Sequence, residues 1–202
     1  MSTANRRRTM DKVKEERYEN GQLKERSTYK MVMDGLYESW HENGQLRERS
    51  IYKDGKQDGL VEGWHKNGKV WFRVNYKDGK MDGLFEEWDE NGQLIERSNY
   101  KDGKNDGMSE TWDENGKPVF RINYKNDLRD GITEEWHENG QLRLHEIYKD
   151  GKRDGLAEEW YDTCKLMNRI NYKNGKRDGV CEWWAESGEL VLHEIYKDGI
   201  RV

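Results

Sequence analysis

Trp40, Trp64, Trp88, Trp112, Trp136, Trp160 and Trp184 stand 24 residues apart without exception, and Gly35, Gly59, Gly83, Gly107, Gly131, Gly155 and Gly179 keep the same step. Tyr52, Tyr76, Tyr100, Tyr124, Tyr148, Tyr172 and Tyr196 follow suit; Tyr29 precedes Tyr52 by 23 because "KMVMDG" is one residue shorter than "KDGKQDG". A fixed period of this length means a repeat array, in which each copy is stabilised by its neighbours. Eight copies account for residues 9–202 as a single array, and residues 1–8 are expected to form a flexible N-terminal segment. The first copy has Arg17 in the Trp column and reads as a polar cap.

Each copy carries an Asn-Gly pair (Asn20-Gly21, Asn43-Gly44, Asn67-Gly68, Asn91-Gly92, Asn115-Gly116, Asn139-Gly140), replaced by Thr163-Cys164 and Ser187-Gly188 in the last two. Asn-Gly between alternating segments is a hairpin signal. The flanking runs of 7 to 9 residues are too short for helices. Two strands per copy predict sixteen antiparallel strands. With Asn67 and Gly68 as a two-residue loop, Trp64 faces Trp71, Glu62 faces Arg73 and Gly59 faces Tyr76. The same rule sets Glu15, Glu38, Glu86, Glu110 and Glu158 opposite Arg26, Arg49, Arg97, Arg121 and Arg169, and Glu134 and Glu182 opposite His145 and His193. A three-residue loop would throw these partners onto opposite faces. An alternating charge ladder suits a sheet with two wet faces, and it accounts for much of the polarity.

That polarity is extreme: 32% of the residues are hydrophobic, 38% are charged and mean hydropathy is −1.32. A thick two-layer core is out of reach, yet nine Trp and eleven Tyr argue against disorder. No apolar run approaches the ~20 residues of a membrane span, and none near Met1 suggests a signal peptide. Cys164 and Cys181 occupy unrelated repeat positions, so no disulfide framework is expected, and a cytoplasmic location is. A net charge of −5 argues against nucleic acid and offers no general attraction to anionic lipid.

A second period doubles the first. "KVWFRVNY" (69–76), "KPVFRINY" (117–124) and "KLMNRINY" (165–172) alternate with strands such as "QLIERSNY", so apolar Val70, Phe72 and Val74 recur against Leu94, Glu96 and Ser98 every 48 residues. Duplication of a two-copy block accounts for this; a partner engaging alternate copies is the other reading.

The unit "YKDGKxDGLxEEWxENGQL" resembles the MORN repeat variant, the bacterial cousin of the membrane occupation and recognition nexus repeat, often labelled antitoxin-like. The likeness runs over nearly the whole chain. It implies an all-β fold of about eight 24-residue hairpins in an elongated, twisted single-layer antiparallel sheet. It also implies protein contact, scaffolding or toxin neutralisation, with lipid binding proposed for the parent repeat.

No residues read as catalytic. Glu–Arg pairs occur in every copy, whereas a catalytic pair should be unique. Asp54 and Asp58 of a loop interleave with Lys56 and fall short of the six to eight oxygens calcium takes, so turn formation is their expected role. The five His have no second ligand at zinc spacing. Neither a metal nor a cofactor is expected, and no convergent polar cluster for a small ligand is legible. What remains is a non-enzymatic, antitoxin-like array that occludes a protein partner, a toxin for example, through one sheet face. Its candidate contact residues are Trp88, Trp112, Trp136, Arg97 and Arg121, types that dominate interface energetics. The alternative is a scaffold or membrane-associated protein assembling edge to edge. The last strand, "ELVLHEIY" (189–196), has few charges and is the expected site of homodimer pairing over 189–197, unless the tail "DGIRV" covers it.

Overall fold

Short strands separated by turns leave the backbone one economical way to satisfy its hydrogen bonds, which is for each strand to pair with the next. The computed structural model describes residues 11–30 and 32–202, so the expectation for residues 1–8 lies outside it. The described residues contain β1 (Lys12–Arg17), β2 (Leu23–Tyr29), β3 (Met33–Trp40), β4 (Leu46–Lys53), β5 (Lys56–Gln57), β6 (Gly59–Trp64), β7 (Val70–Lys77), β8 (Lys80–Trp88) and β9 (Leu94–Lys101). There follow β10 (Lys104–Trp112), β11 (Pro118–Lys125), β12 (Leu128–Trp136), β13 (Leu142–Lys149), β14 (Lys152–Trp160), β15 (Leu166–Lys173), β16 (Lys176–Trp184), β17 (Leu190–Lys197) and β18 (Ile200–Arg201). The fold is all-β, built of antiparallel hairpin repeats. Sixteen strands are expected and eighteen are found, because β5 is split from β6 and the tail folds back as β18.

The chain divides into two compact units, one running to Gly83 and including Trp88–Gly92, the other comprising Leu84–Glu87 and Gln93–Val202. In the first, β1 to β4 pair consecutively, β4 bonds to both β5 and β6, and β6 pairs with β7. In the second, β9 to β18 do the same. β8 contributes residues to both.

The expected Glu–Arg register is present, but the turn behind it differs. His65 N–H bonds Lys69 O and Gly68 N–H bonds His65 O, enclosing a three-residue loop in which Gly68 has φ 82°. Such a loop alone would flip the faces. A β-bulge restores them: Trp64 pairs with Val70 while Gly63 pairs with Phe72, leaving Trp71 as the extra residue. Trp64 therefore does not face Trp71. The same compensation recurs wherever Arg47, Val119, Arg143, Met167 or Val191 is the unpaired residue.

The two-residue turn lies at the other end of the hairpin. Lys53 pairs with Lys56 around Asp54 (φ 50°) and Gly55 (φ 81°), both left-handed as a type I′ turn requires. Beyond it, Asn105 pairs with Tyr100 but Ser109 pairs with Ser98, so Asp106, Gly107 and Met108 bulge opposite Asn99 alone. Gly107 has φ 120°, and a Cβ there would sit 3.0 Å from that of Asn99. The Asn99 amide donates to Met108 O at 3.0 Å and so stabilises the bulge.

Both turn ends latch one repeat to the next. Asp58 is the second Asp of its loop, and its carboxylate accepts the Asp78 amide at 3.2 Å, while Gln57 O accepts the Gly79 amide. Asp106, Asp130, Asp154 and Asp178 do the same for Asn126, Asp150, Asn174 and Asp198. The Asp198 amide and then Lys197 hold the Asp178 carboxyl below its ordinary pKa. At the opposite end, Nε2 of His41, His65 and His137 donates to the carbonyls of Trp64, Trp88 and Trp160 at 2.8, 2.9 and 2.9 Å. Asn43, Asn67 and Asn139 reach across similarly. These Asp and His residues are repeat couplers.

Among the described residues, the buried apolar side chains are Val61, Val74, Ala157, Ile170 and Cys181. In the first unit Val61 and Val74 share a cross-strand column with buried Ser27 and Ser50, and in the second Ala157, Ile170 and Cys181 share one with buried Ser98, Thr133 and Glu146. In each unit the core is a line along one face. Because side chains alternate, the next residue along each strand points to the other face.

Candidate functional site

That other face bears the charge ladder. In the first unit, pairing runs Glu15, Arg26, Glu38, Arg49, Glu62, Arg73 from strand to strand. In the second it runs Arg97, Glu110, Arg121, Glu134, His145, Glu158, Arg169, Glu182, His193. Guanidinium–carboxylate contacts are 2.9 Å for Arg73–Glu62, 2.8 Å for Arg97–Glu86 and 3.1 Å for Arg121–Glu110. Arg121 also reaches Glu134 at 3.0 Å, so pairs of adjacent repeats fuse. Its hydrogen bond to Glu110 raises the Arg121 pKa above the ordinary value. His193 takes the Arg place with Nδ1 3.0 Å from Glu182, and His145 sits 3.5 Å from Glu134.

The Trp column lies on this face. Arg49 stacks over Trp64 at 6.0 Å, Arg73 over Trp88 at 5.7 Å and Arg121 over Trp136 at 5.4 Å. Each guanidinium covers the Trp of the following repeat, a contact worth roughly 0.5–1 kcal/mol when exposed. Of the candidate contact residues, the structure brings Arg121 and Trp136 together, while the cation over Trp88 is Arg73. Trp112 is half-buried, and the Arg97 guanidinium is held by Glu86. In the first unit, Trp88, Val70, Arg73 and Lys69 line an open groove of ≈ 460 Å³ between the Asn67-Gly68 and Asn91-Gly92 turns. This face offers half-exposed indole, aliphatic and guanidinium surface with its charges already paired.

The buried-column face contains what the sequence reading missed. Glu146 is 2% exposed, at a column position held by Val74 and Ile170 in other repeats. Its carboxylate accepts Arg153 Nε at 2.7 Å and the Tyr148 hydroxyl at 2.8 Å. Arg129 donates to that hydroxyl at 3.3 Å and lies 5.3 Å from the Tyr148 ring centroid. These groups, with Arg143, Glu135, Glu159, Asn168 and Tyr172, line a cavity of ≈ 350 Å³. A convergent polar cluster therefore exists, contrary to expectation. The tetrapeptide "HEIY" at 145–148 and 193–196, with Arg129, Arg153, Arg177 and Arg201 in one loop position, was its signal.

Among the described residues, no group of three or more His, Cys, Asp or Glu could hold a metal ion, and no helix is long and apolar enough to cross a membrane. Both cysteines are free; Cys164 is exposed, and burial raises the Cys181 thiol pKa.

The chain matches the MORN repeat variant family model in tandem at 10–31, 33–54, 57–78, 81–102, 105–126 and 129–150. No curated protein gives a match. Repeats of this family are non-catalytic and serve protein or membrane interaction. β14 to β17 carry the same bulges and register beyond the last matched segment. With six matches covering more than half of its length, each in phase with the hairpins, the chain belongs to the MORN repeat variant family.

Proposed function

We propose that the protein is a cytoplasmic, non-enzymatic binding array of the antitoxin or immunity kind, which occludes a protein partner through the face bearing the ladder and the Trp column. The observation that carries this reading is Arg121, which stacks on Trp136 while bonded to both Glu110 and Glu134. A guanidinium so held has little rotamer freedom left to lose, and ordering costs are what usually erode interface affinity. Trp112 and Trp136, with Arg97 and Arg121, are the contacts proposed in the second unit, and Trp88 with its groove in the first. A toxin is the proposed partner class.

The test is an Arg97→Ala, Arg121→Ala double variant, checked for an unchanged circular dichroism spectrum and melt. Its affinity for a partner isolated from the native host is expected to fall at least tenfold. Parent-like affinity would remove this face from the interface.

Edge-to-edge assembly is a second reading, favoured by Leu190, Val191 and Leu192 at 47%, 67% and 41% exposure on β17. β18 and Val202 already pair with Ile195–Lys197, so a second copy would have to pair along Leu190–Glu194. Sedimentation of the parent and of a Leu192→Pro variant decides it: a dimer that the substitution dissociates supports self-association, and a parent monomer ends it.

A further inference from the structure

The cluster around Glu146 occurs twice. Forty-eight residues on, Glu194 accepts Arg201 at 2.7 Å and the Tyr196 hydroxyl at 2.8 Å, while Arg177 donates to that hydroxyl at 3.3 Å. These distances match those of Arg153, Tyr148 and Arg129 around Glu146. The doubled period thus encodes one hydrogen-bonded tetrad in two copies. They differ above the outer arginine. Arg177 is sandwiched, 5.3 Å from the Tyr196 ring and 5.1 Å from that of Trp183. At the equivalent position the first copy has Glu135, which is drawn away to Arg143. A Trp ring covers the outer arginine in one copy, whereas in the other Arg129 and Glu135 both line the cavity.

Charge is distributed unevenly within that cavity. Glu135 and Glu159 share Arg143, and Glu146 is taken by Arg153 and Tyr148. Among the described residues, the Arg129 side chain meets only the Tyr148 ring and hydroxyl. Tyr172 accepts from Arg153 at 3.4 Å, and its own hydroxyl proton has no carboxylate like that of Glu146, because Ile170 stands there. The acceptors are engaged while a planar guanidinium fork and a phenol proton remain to be given. That is the complement of a carboxylate or phosphate group, which an Arg fork binds in bidentate fashion. The volume lies within the range of small-ligand pockets, at its low end.

We propose that this cavity is a binding site for a small oxyanion, held by the Arg129 guanidinium, whose counterpart Arg177 in the second copy is covered by Trp183 and Tyr196. It uses the face opposite the Trp column, so it stands or falls independently of the partner interface.

Calorimetric titration of the full chain with inorganic phosphate and with succinate, at constant ionic strength set by chloride, tests it. Saturable binding at one site per chain is expected for at least one of the two. Phosphate alone would assign a phosphate ester, and succinate alone a carboxylate. Arg129→Gln copies Gln57 at the same repeat position and so suits the fold; it should weaken binding at least tenfold. Glu135→Trp copies Trp183 and should abolish binding while the melting curve keeps its shape. No saturable binding of either anion, or equal binding by the Arg129→Gln variant, would overturn the assignment.

Discussion

Thr133 is fully buried, and its hydroxyl has no hydrogen-bond partner among the described residues. Val61 fills the same repeat position at 2% exposure, paired with Val74. An orphaned buried hydroxyl costs about 1–3 kcal/mol. Thr133→Val should therefore stabilise the protein by about 1 kcal/mol, seen as a Tm rise of roughly 2–4 °C for a chain of this size. No change in Tm would mean that the hydroxyl is satisfied in solution. Backbone conformation gives the second residue-scale prediction. Cys164 occupies the turn position of Gly140 with φ 64°, where a Cβ is strained by about 1–2 kcal/mol. Cys164→Gly is expected to move the urea midpoint upward by about 1 kcal/mol in stability. It should also remove the fast phase of thiol labelling and leave the slow reaction of buried Cys181.

At the scale of the strand pair, the ladder sets an upper limit on what any one ion pair does. Glu110 lies between Arg97 and Arg121 in register, and Arg121 lies between Glu110 and Glu134. Glu110→Arg places a cation between two others, and adding Arg121→Glu rebuilds one pair while opposing Glu134. A double-mutant cycle should give partial recovery, with a coupling of about 0.2–1 kcal/mol as half-exposed pairs allow. Strict additivity would show that facing residues do not interact. The pairing was legible in the sequence because period-2 alternation and the acid–base columns admit few registers. The turn was not. Asn67-Gly68 reads as a two-residue loop, yet only Gly68 is left-handed, and the type I′ pair is Asp54-Gly55. A loop one residue longer and a bulge of one residue cancel in the register, so sequence pairing cannot separate them. The tetrad is hard to read from sequence because its members lie on three strands, and Glu146, like Glu194, stands in a column otherwise held by Ser, Val and Ile, where one more acid in so charged a chain carries no mark of burial. Only the step of 48 sets Glu146 and Glu194 apart.

At the scale of the molecule, so thin a core places stability in contacts between successive repeats rather than in a shared interior. The second unit shows this at both turn ends. Asp130 accepts the Asp150 amide at 3.0 Å and Arg129 O accepts that of Gly151, while His137 Nε2 meets Trp160 O at 2.9 Å and Asn139 reaches Asp162 O at 2.8 Å. Each latch holds only the following repeat. Its loss should therefore be felt locally, by about 0.5–1.5 kcal/mol per hydrogen bond, or roughly two- to tenfold in exchange rate. For Asp130→Ala, hydrogen exchange is expected to accelerate at the Asp150 and Gly151 amides. For His137→Ala, it should accelerate over the turn at 160–165. In both variants the amides of β17 should keep their parent rates. Uniform acceleration through the second unit would mean that its repeats open together, and that the latches stabilise a cooperative block rather than a chain of neighbours.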